Sequence, residues 1–145
     1  MGFGNPYGDV YDVEVVGKFV DILSTLEVKI VSLADTIGVS TPDQIQYLFS
    51  TLSRQFPAIE FGAHLHSNPA TAEEKIEAAL NAGCKRFDGA IKGFGGCPMA
   101  EDELVGNLAT ETILNCLDKI GTSPDLNYDA FQKAMIMADD IFPKH

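Results

Sequence analysis

The segment EFGAHLH, Glu60 to His66, reads as a buried β-strand with two histidines at its C-terminal end. It is about as long as an ordinary buried strand. The chain has three histidines in all, so two on one strand is a concentration that needs a physical reason. Successive strand side chains alternate faces, which points His64 and His66 the same way and Leu65 the other. Like-facing side chains sit roughly 6–7 Å apart along a strand, close enough for two imidazoles to meet one metal ion. The competing explanation is a pair of hydrogen-bonded core histidines. The placement of both rings at the end of the strand favours the metal.

Outward from this strand, two further runs of the same character stand on either side. Val28–Ala34 (VKIVSLA) precedes it, and Arg86–Ile91 (RFDGAI) follows it. Helical spacing fills the intervals. Asp12–Leu26 carries Val13, Val16, Val20 and Leu23 on one side. The run Ser40-Thr41-Pro42-Asp43 predicts a helix start, with Thr41 as N-cap, Pro42 at the first helical position and Gln44 completing a capping box. Ile45, Leu48, Phe49 and Leu52 then form its buried stripe. A third helix is predicted over Thr71–Ala82, stopped by Gly83. A fourth is predicted over Asp102–Lys119, and a last over Asn127–Phe142 with Tyr128, Phe131, Met135, Ala138 and Phe142 on one side. Alternation of strand and helix predicts an α/β fold with a parallel sheet. A βα repeat of about thirty residues suits either a (β/α) barrel or a doubly wound sheet.

In such folds the functional groups gather at the C-terminal ends of the strands. All three predicted strands obey this. The first ends in Ala34-Asp35-Thr36 and the second in the histidine pair. The third carries Asp88 and runs into the loop Lys92-Gly93-Phe94-Gly95-Gly96-Cys97-Pro98. Gly93, Gly95 and Gly96 permit positive φ and close backbone approach over a site. Cys97 within them is either a thiol that reaches a substrate or filler in a tight turn, and the residues alone leave this open. Asp35 is a base, a hydrogen-bond anchor or the cap of the following turn, with a site role preferred. Asn107 caps a helix or offers its amide oxygen to a metal, and spacing alone favours capping. Cys84 and Cys116 read as packed apolar residues.

Bulk composition narrows the partners. With 145 residues, 46% hydrophobic and 21% charged, the chain is ordinary for one globular domain. A net charge of −11 opposes phosphate backbones, so no nucleic-acid partner is expected. The acidic residues are dispersed, as at Glu73, Glu74 and Glu77, in the manner of a solvated helix face. No apolar run approaches the roughly 18 residues of a membrane span, and MGFGNPYGD has no signal-peptide character. The three cysteines form no CxxC and no disulfide framework. A cytoplasmic protein with no membrane partner is expected.

Four motifs together carry a resemblance. LADTIG (Leu33–Gly38), HLH (His64–His66), GFGGCP (Gly93–Pro98) and GNLATE (Gly106–Glu111) resemble the hydroxymethylglutaryl-CoA lyases, within the metal-dependent TIM-barrel lyases and acyl-CoA condensing enzymes. GNPYGD (Gly4–Asp9) is similar to the turn after that family's fifth strand. The resemblance implies a partial (β/α)8 TIM barrel, about three C-terminal βα units plus C-terminal helices, with residues 1–145 as one C-terminal part of the lyase domain. It implies that His64, His66 and Asn107 coordinate a divalent metal, Mg²⁺ or Mn²⁺. It implies that Cys97 is a catalytic acid/base on a closing loop and that Asp35 lies against the substrate. The implied reaction is cleavage of 3-hydroxy-3-methylglutaryl-CoA to acetyl-CoA and acetoacetate.

Two departures accompany the resemblance. Ser67-Asn68-Pro69 stands where relatives have Asp-Thr, and Cys97 to Asn107 is one residue longer than in the commonest members. A whole barrel also takes about 200–250 residues, and this chain offers nothing to match the arginine and metal-binding aspartate of the family's first strand. Arg54 falls mid-helix and Arg86 at a strand start, so neither substitutes. The piece by itself is therefore expected to be catalytically incomplete and to self-associate as a homo-oligomer, a dimer in the simplest case. The other functional classes compatible with the sequence are a non-catalytic self-associating half-barrel and a condensing enzyme joining a 2-oxo acid to acetyl-CoA.

Overall fold

A computed structural model describes residues 2–96 and 105–142. Helix α1 (Val13–Thr25) leads into β1 (Ile30–Asp35), followed by α2 (Pro42–Gln55), β2 (Glu60–Ser67), α3 (Ala72–Asn81) and β3 (Arg86–Asp88). A 3₁₀ turn at Ile91–Gly93, a two-residue strand β4 (Gly106–Asn107), α4 (Thr110–Lys119) and α5 (Tyr128–Ile141) complete the order. Strands β1, β2 and β3 lie side by side in parallel with β2 in the middle. No described helix is long and apolar enough to cross a membrane.

The helix starts follow from local chemistry. Asp12 caps α1 by accepting from Val15 N at 2.7 Å. The predicted capping box of α2 is present in both directions, with Gln44 N donating to Thr41 Oγ1 and Thr41 N donating to Gln44 Oε1. Asn127 caps α5 through Ala130 N. At the other end of α3, Gly83 adopts φ +86°, the left-handed conformation that ends a helix most cheaply with glycine.

The core forms on one face of the sheet. Leu33, Phe61, Ala63 and Leu65 point toward Ile45, Leu48, Phe49 and Leu52 of α2 and Ile76 and Ala79 of α3, all buried. The stripe predicted for α2 is the stripe observed. The opposite face carries Ser32, Gly62, His64, Arg86 and Asp88 in register across the three strands. At the N-terminus, Gly2 N donates to Ala34 O at 2.7 Å and Phe3 is buried, so the first residues run beside the end of β1.

Four expectations are corrected. The first strand begins at Ile30 rather than Val28, because Glu27 turns through φ +61° and Val28 N closes the end of α1 on Leu23 O. The third strand stops at Asp88 rather than Ile91, since the chain leaves the sheet into the 3₁₀ turn, with Lys92 at φ +57°. The fourth helix begins at Thr110. Gly106 and Asn107 pair instead with Ser67 and His66, and this ladder is antiparallel within a sheet expected to be wholly parallel. Finally, the predicted stripe of α5 is only partly covered. Ala138 is its one buried residue, and Tyr128 and Phe142 are about half exposed, although Phe142 stacks on Phe94 at 4.5 Å.

Replacing Thr41 by Ala should remove the side-chain half of the capping box, the bond from Gln44 N to Thr41 Oγ1, and lower the unfolding free energy by about 1 kcal/mol in urea denaturation, with an unchanged slope.

Candidate active site

The site is built where β2 ends. His64 and His66 point to the same side of the strand, with ring centroids 5.5 Å apart. His64 is half-buried and His66 is buried. Burial, and then the neighbouring His64, hold the pKa of His66 below the ordinary imidazole value, while Asp35 pulls weakly the other way. A neutral imidazole is the form that binds a metal ion.

Asn107 reaches this position through the antiparallel ladder. It is the register partner of His66, and cross-strand partners share a face. Its Nδ2 donates to Phe94 O and Gly95 O, each at 2.9 Å, and its backbone N donates to Gly95 O at 3.0 Å. With the amide nitrogen committed to the glycine loop, the amide oxygen is the end left to act as a ligand. The capping role suggested by spacing is therefore replaced by a loop-anchoring one.

Close approach explains the glycines. A Cβ on Gly93 would stand 2.9 Å from Asn107 O, and one on Gly95 would stand 2.9 Å from Asn107 Nδ2. Both have φ near the left-handed region, at +70° and +90°. Gly96 bridges to Gly106, so the loop and β4 lie backbone to backbone. Cys97 lies outside the described residues. The other two thiols are buried as expected, and burial pushes Cys84 up to about 11.

Asp35 takes the other face of the sheet from the histidines. It follows the alternation of Leu33, toward the helices, whereas Ala34 is the partner of His64. Its carboxylate accepts from Val39 N at 3.1 Å and Ser40 N at 2.7 Å and is 1% exposed. These bonds match the hydrogen-bond anchor among the roles the sequence left open.

A residue not singled out from the sequence completes this anchor. Lys75 of α3 is buried, with Nζ donating to Gly38 O at 3.0 Å and His66 O at 3.2 Å and standing 3.7 Å from Asp35 Oδ2. One ammonium thus ties the turn after β1 to the backbone of a site histidine. Burial lowers its pKa, and Asp35 opposes that shift. The signal was present in the sequence: Lys75 stands at helical spacing between Ala72 and Ala79, both buried, where a charge has to find a partner.

The donors present fit a divalent cation. His66 Nδ1 is buried with no hydrogen-bond partner among the described residues, an omission that ordinarily costs about 1–3 kcal/mol. Two imidazoles and an amide oxygen on one face form a mixed nitrogen and oxygen donor set that a divalent cation accepts. No cluster of three His, Cys, Asp or Glu side chains with metal-binding geometry occurs among the described residues.

A parallel sheet with helices packed on one face, and its polar groups gathered at the C-terminal rim, matches part of a (β/α)8 barrel. A family model described as HMGL-like matches residues 2–137, and the chain belongs to that family. It is 35% identical over 127 residues to the hydroxymethylglutaryl-CoA lyase of Pseudomonas mevalonii, covering 88% of this chain and 42% of that protein. It is 30% identical over 128 residues to the (R)-citramalyl-CoA lyase of Chloroflexus aurantiacus, covering 88% of this chain and 40% of that one. The solved Bacillus subtilis HMG-CoA lyase superposes with a TM-score of 0.86 at 31% identity, over 96% of this chain and 46% of that chain. The chain therefore spans less than half the length of these relatives.

Substituting Lys75 by Met should leave Asp35 charged and buried without its cation, lowering stability by about 3 kcal/mol in urea denaturation. Adding Asp35→Asn should recover part of that loss, because the pair is then neutral.

Proposed function

We propose that this chain is the C-terminal half of a metal-dependent lyase that breaks a carbon–carbon bond in an acyl-CoA. The preferred substrate is 3-hydroxy-3-methylglutaryl-CoA, and the products are acetyl-CoA and acetoacetate. The observation that carries the reading is the convergence of His64, His66 and Asn107 on one face at the end of β2. The names of the relatives, hydroxymethylglutaryl-CoA lyase and (R)-citramalyl-CoA lyase, support an acyl-CoA and leave the acyl group as the finer part of the proposal.

His64, His66 and Asn107 would hold the divalent cation through two ring nitrogens and an amide oxygen. When bound, the cation would supply Lewis acidity that favours transfer of the substrate's tertiary hydroxyl proton to water. Cys97, next in the chain after Gly96, donates a proton to the enolate carbon of acetyl-CoA as the bond between the two product halves opens. Asn107 holds the loop that carries Cys97 by its root. Asp35 and Lys75 act from behind the rim by fixing the backbone of His66.

The isolated chain should bind Mn²⁺ weakly, with no measurable acetyl-CoA release, because it offers no match to the arginine and aspartate that the family resemblance requires. Manganese titration followed by electron paramagnetic resonance tests the first part. His64→Ala and His66→Ala should each lower the affinity by more than about tenfold. Unchanged affinity in both variants would end the metal reading.

A second reading, self-association, is favoured by the open edges. Strands β1 and β3 flank the described three-stranded ladder, and Phe19, Ile22, Leu26 and Ile30 are exposed. A second copy of the chain is the expected occupant. Light scattering should give a mass that rises above the monomer with concentration, and a monomer at every concentration would refute it.

A further inference from the structure

On the face of the sheet that carries the histidines, β3 sets Asp88 beside His64. The two residues are register partners, and Asp88 Oδ2 lies 3.7 Å from His64 Nδ1. The same oxygen accepts from Ser32 Oγ at 3.0 Å. Ser32 belongs to β1, on the far side of β2 from Asp88. The two can touch because the β2 residue between them, the register partner of Ser32, is Gly62. A Cβ on Gly62 would stand 3.1 Å from Ser32 Oγ and 3.0 Å from Arg86 Cδ. The missing side chain opens a passage across β2, and the serine hydroxyl uses it to hold one oxygen of Asp88.

That arrangement makes the two histidines inequivalent. His64 has a carboxylate facing Nδ1, whereas His66 Nδ1 has no partner among the described residues. A neutral imidazole carries its proton on one nitrogen and offers the other, and the proton stays on the nitrogen that faces an acceptor. Histidines that bind metals commonly donate their second ring N–H to a carboxylate, which fixes both tautomer and ring orientation.

We propose that Asp88, steadied by Ser32 across Gly62, is a positioning residue that keeps the His64 proton on Nδ1 and presents Nε2 as the ligand nitrogen. The inference rests on the metal reading given above, but its first half concerns the metal-free chain. Asp88 touches neither substrate nor cation in this scheme and acts through His64 alone.

The test has two readouts on the full chain. Long-range ¹H–¹⁵N correlation of the imidazoles, taken above their titration range, reports the tautomer without metal. His64 should be Nδ1–H in the wild type and revert to the Nε2–H form in Asp88→Ala. Manganese affinity should fall about 10–100-fold in the same variant. An Asp88 that only stabilised the fold would shift the unfolding midpoint and leave the tautomer as it was, and that result would overturn the proposal. If circular dichroism shows that Asp88→Ala does not fold, Ser32→Ala decides. A mixed His64 tautomer then supports the proposal, and a wild-type population overturns it. If the wild type binds no Mn²⁺, the metal reading fails and the tautomer alone remains decisive. Nδ1–H lost with Asp88 supports the positioning role, and Nε2–H already present in the wild type refutes it.

Discussion

The short antiparallel ladder between β4 and the end of β2 organises the rim. In a parallel barrel each strand delivers its loop outward, and a long loop has nothing to hold its return path. Here Gly106 and Asn107 pair with Ser67 and His66, and Leu108 N then donates to Leu65 O. Leu108 is buried, and Ala90 exchanges hydrogen bonds with Leu108 and Thr110 on its other side. The returning segment is thus stitched between β2 and the chain just beyond β3 before α4 begins. The same few bonds put an amide beside a histidine and bring the glycine loop into backbone contact with β4. Side chains at 93 and 95 have no room there.

The two faces of the sheet divide the labour. One is an aliphatic and aromatic core whose buried charges, among the described residues, are Asp35 and Lys75. A buried ion pair adds little net stability compared with a well-packed apolar pair, but it does fix geometry. In this protein the geometry fixed is that of the turn after β1 relative to the His66 carbonyl. The other face is polar, and its side chains meet across the strands: Ser32 to Asp88 and Asp88 beside His64. Each site histidine is therefore supported differently, one through its backbone from the helix side and one through its ring from the other face.

This division has a consequence for the chemistry. A histidine whose pKa is lowered by burial remains a neutral imidazole at modest acidity. The face that carries the candidate donors is exposed in part, at Ser32 and Arg86, although His66 on it is buried.

The sequence alone determined the local structure and singled out the candidate donors. Hydrophobic periodicity set α2 and its buried stripe, side-chain capping set the starts of α1, α2 and α5, and period-two alternation put His64 and His66 on one side. These features depend on residues a few positions apart, so the sequence displays them directly. Tertiary structure alone decided the rest. The start of α4 was misread because Gly106 and Asn107 answer to β2, some forty residues earlier in the chain. The direction of Asp35 depends on register with β2 and on Lys75 in α3. The Ser32–Asp88 contact across Gly62 exists only when three separate strands align. Pairings between distant segments are set by packing and register, and a linear pattern carries no trace of them until the chain has folded.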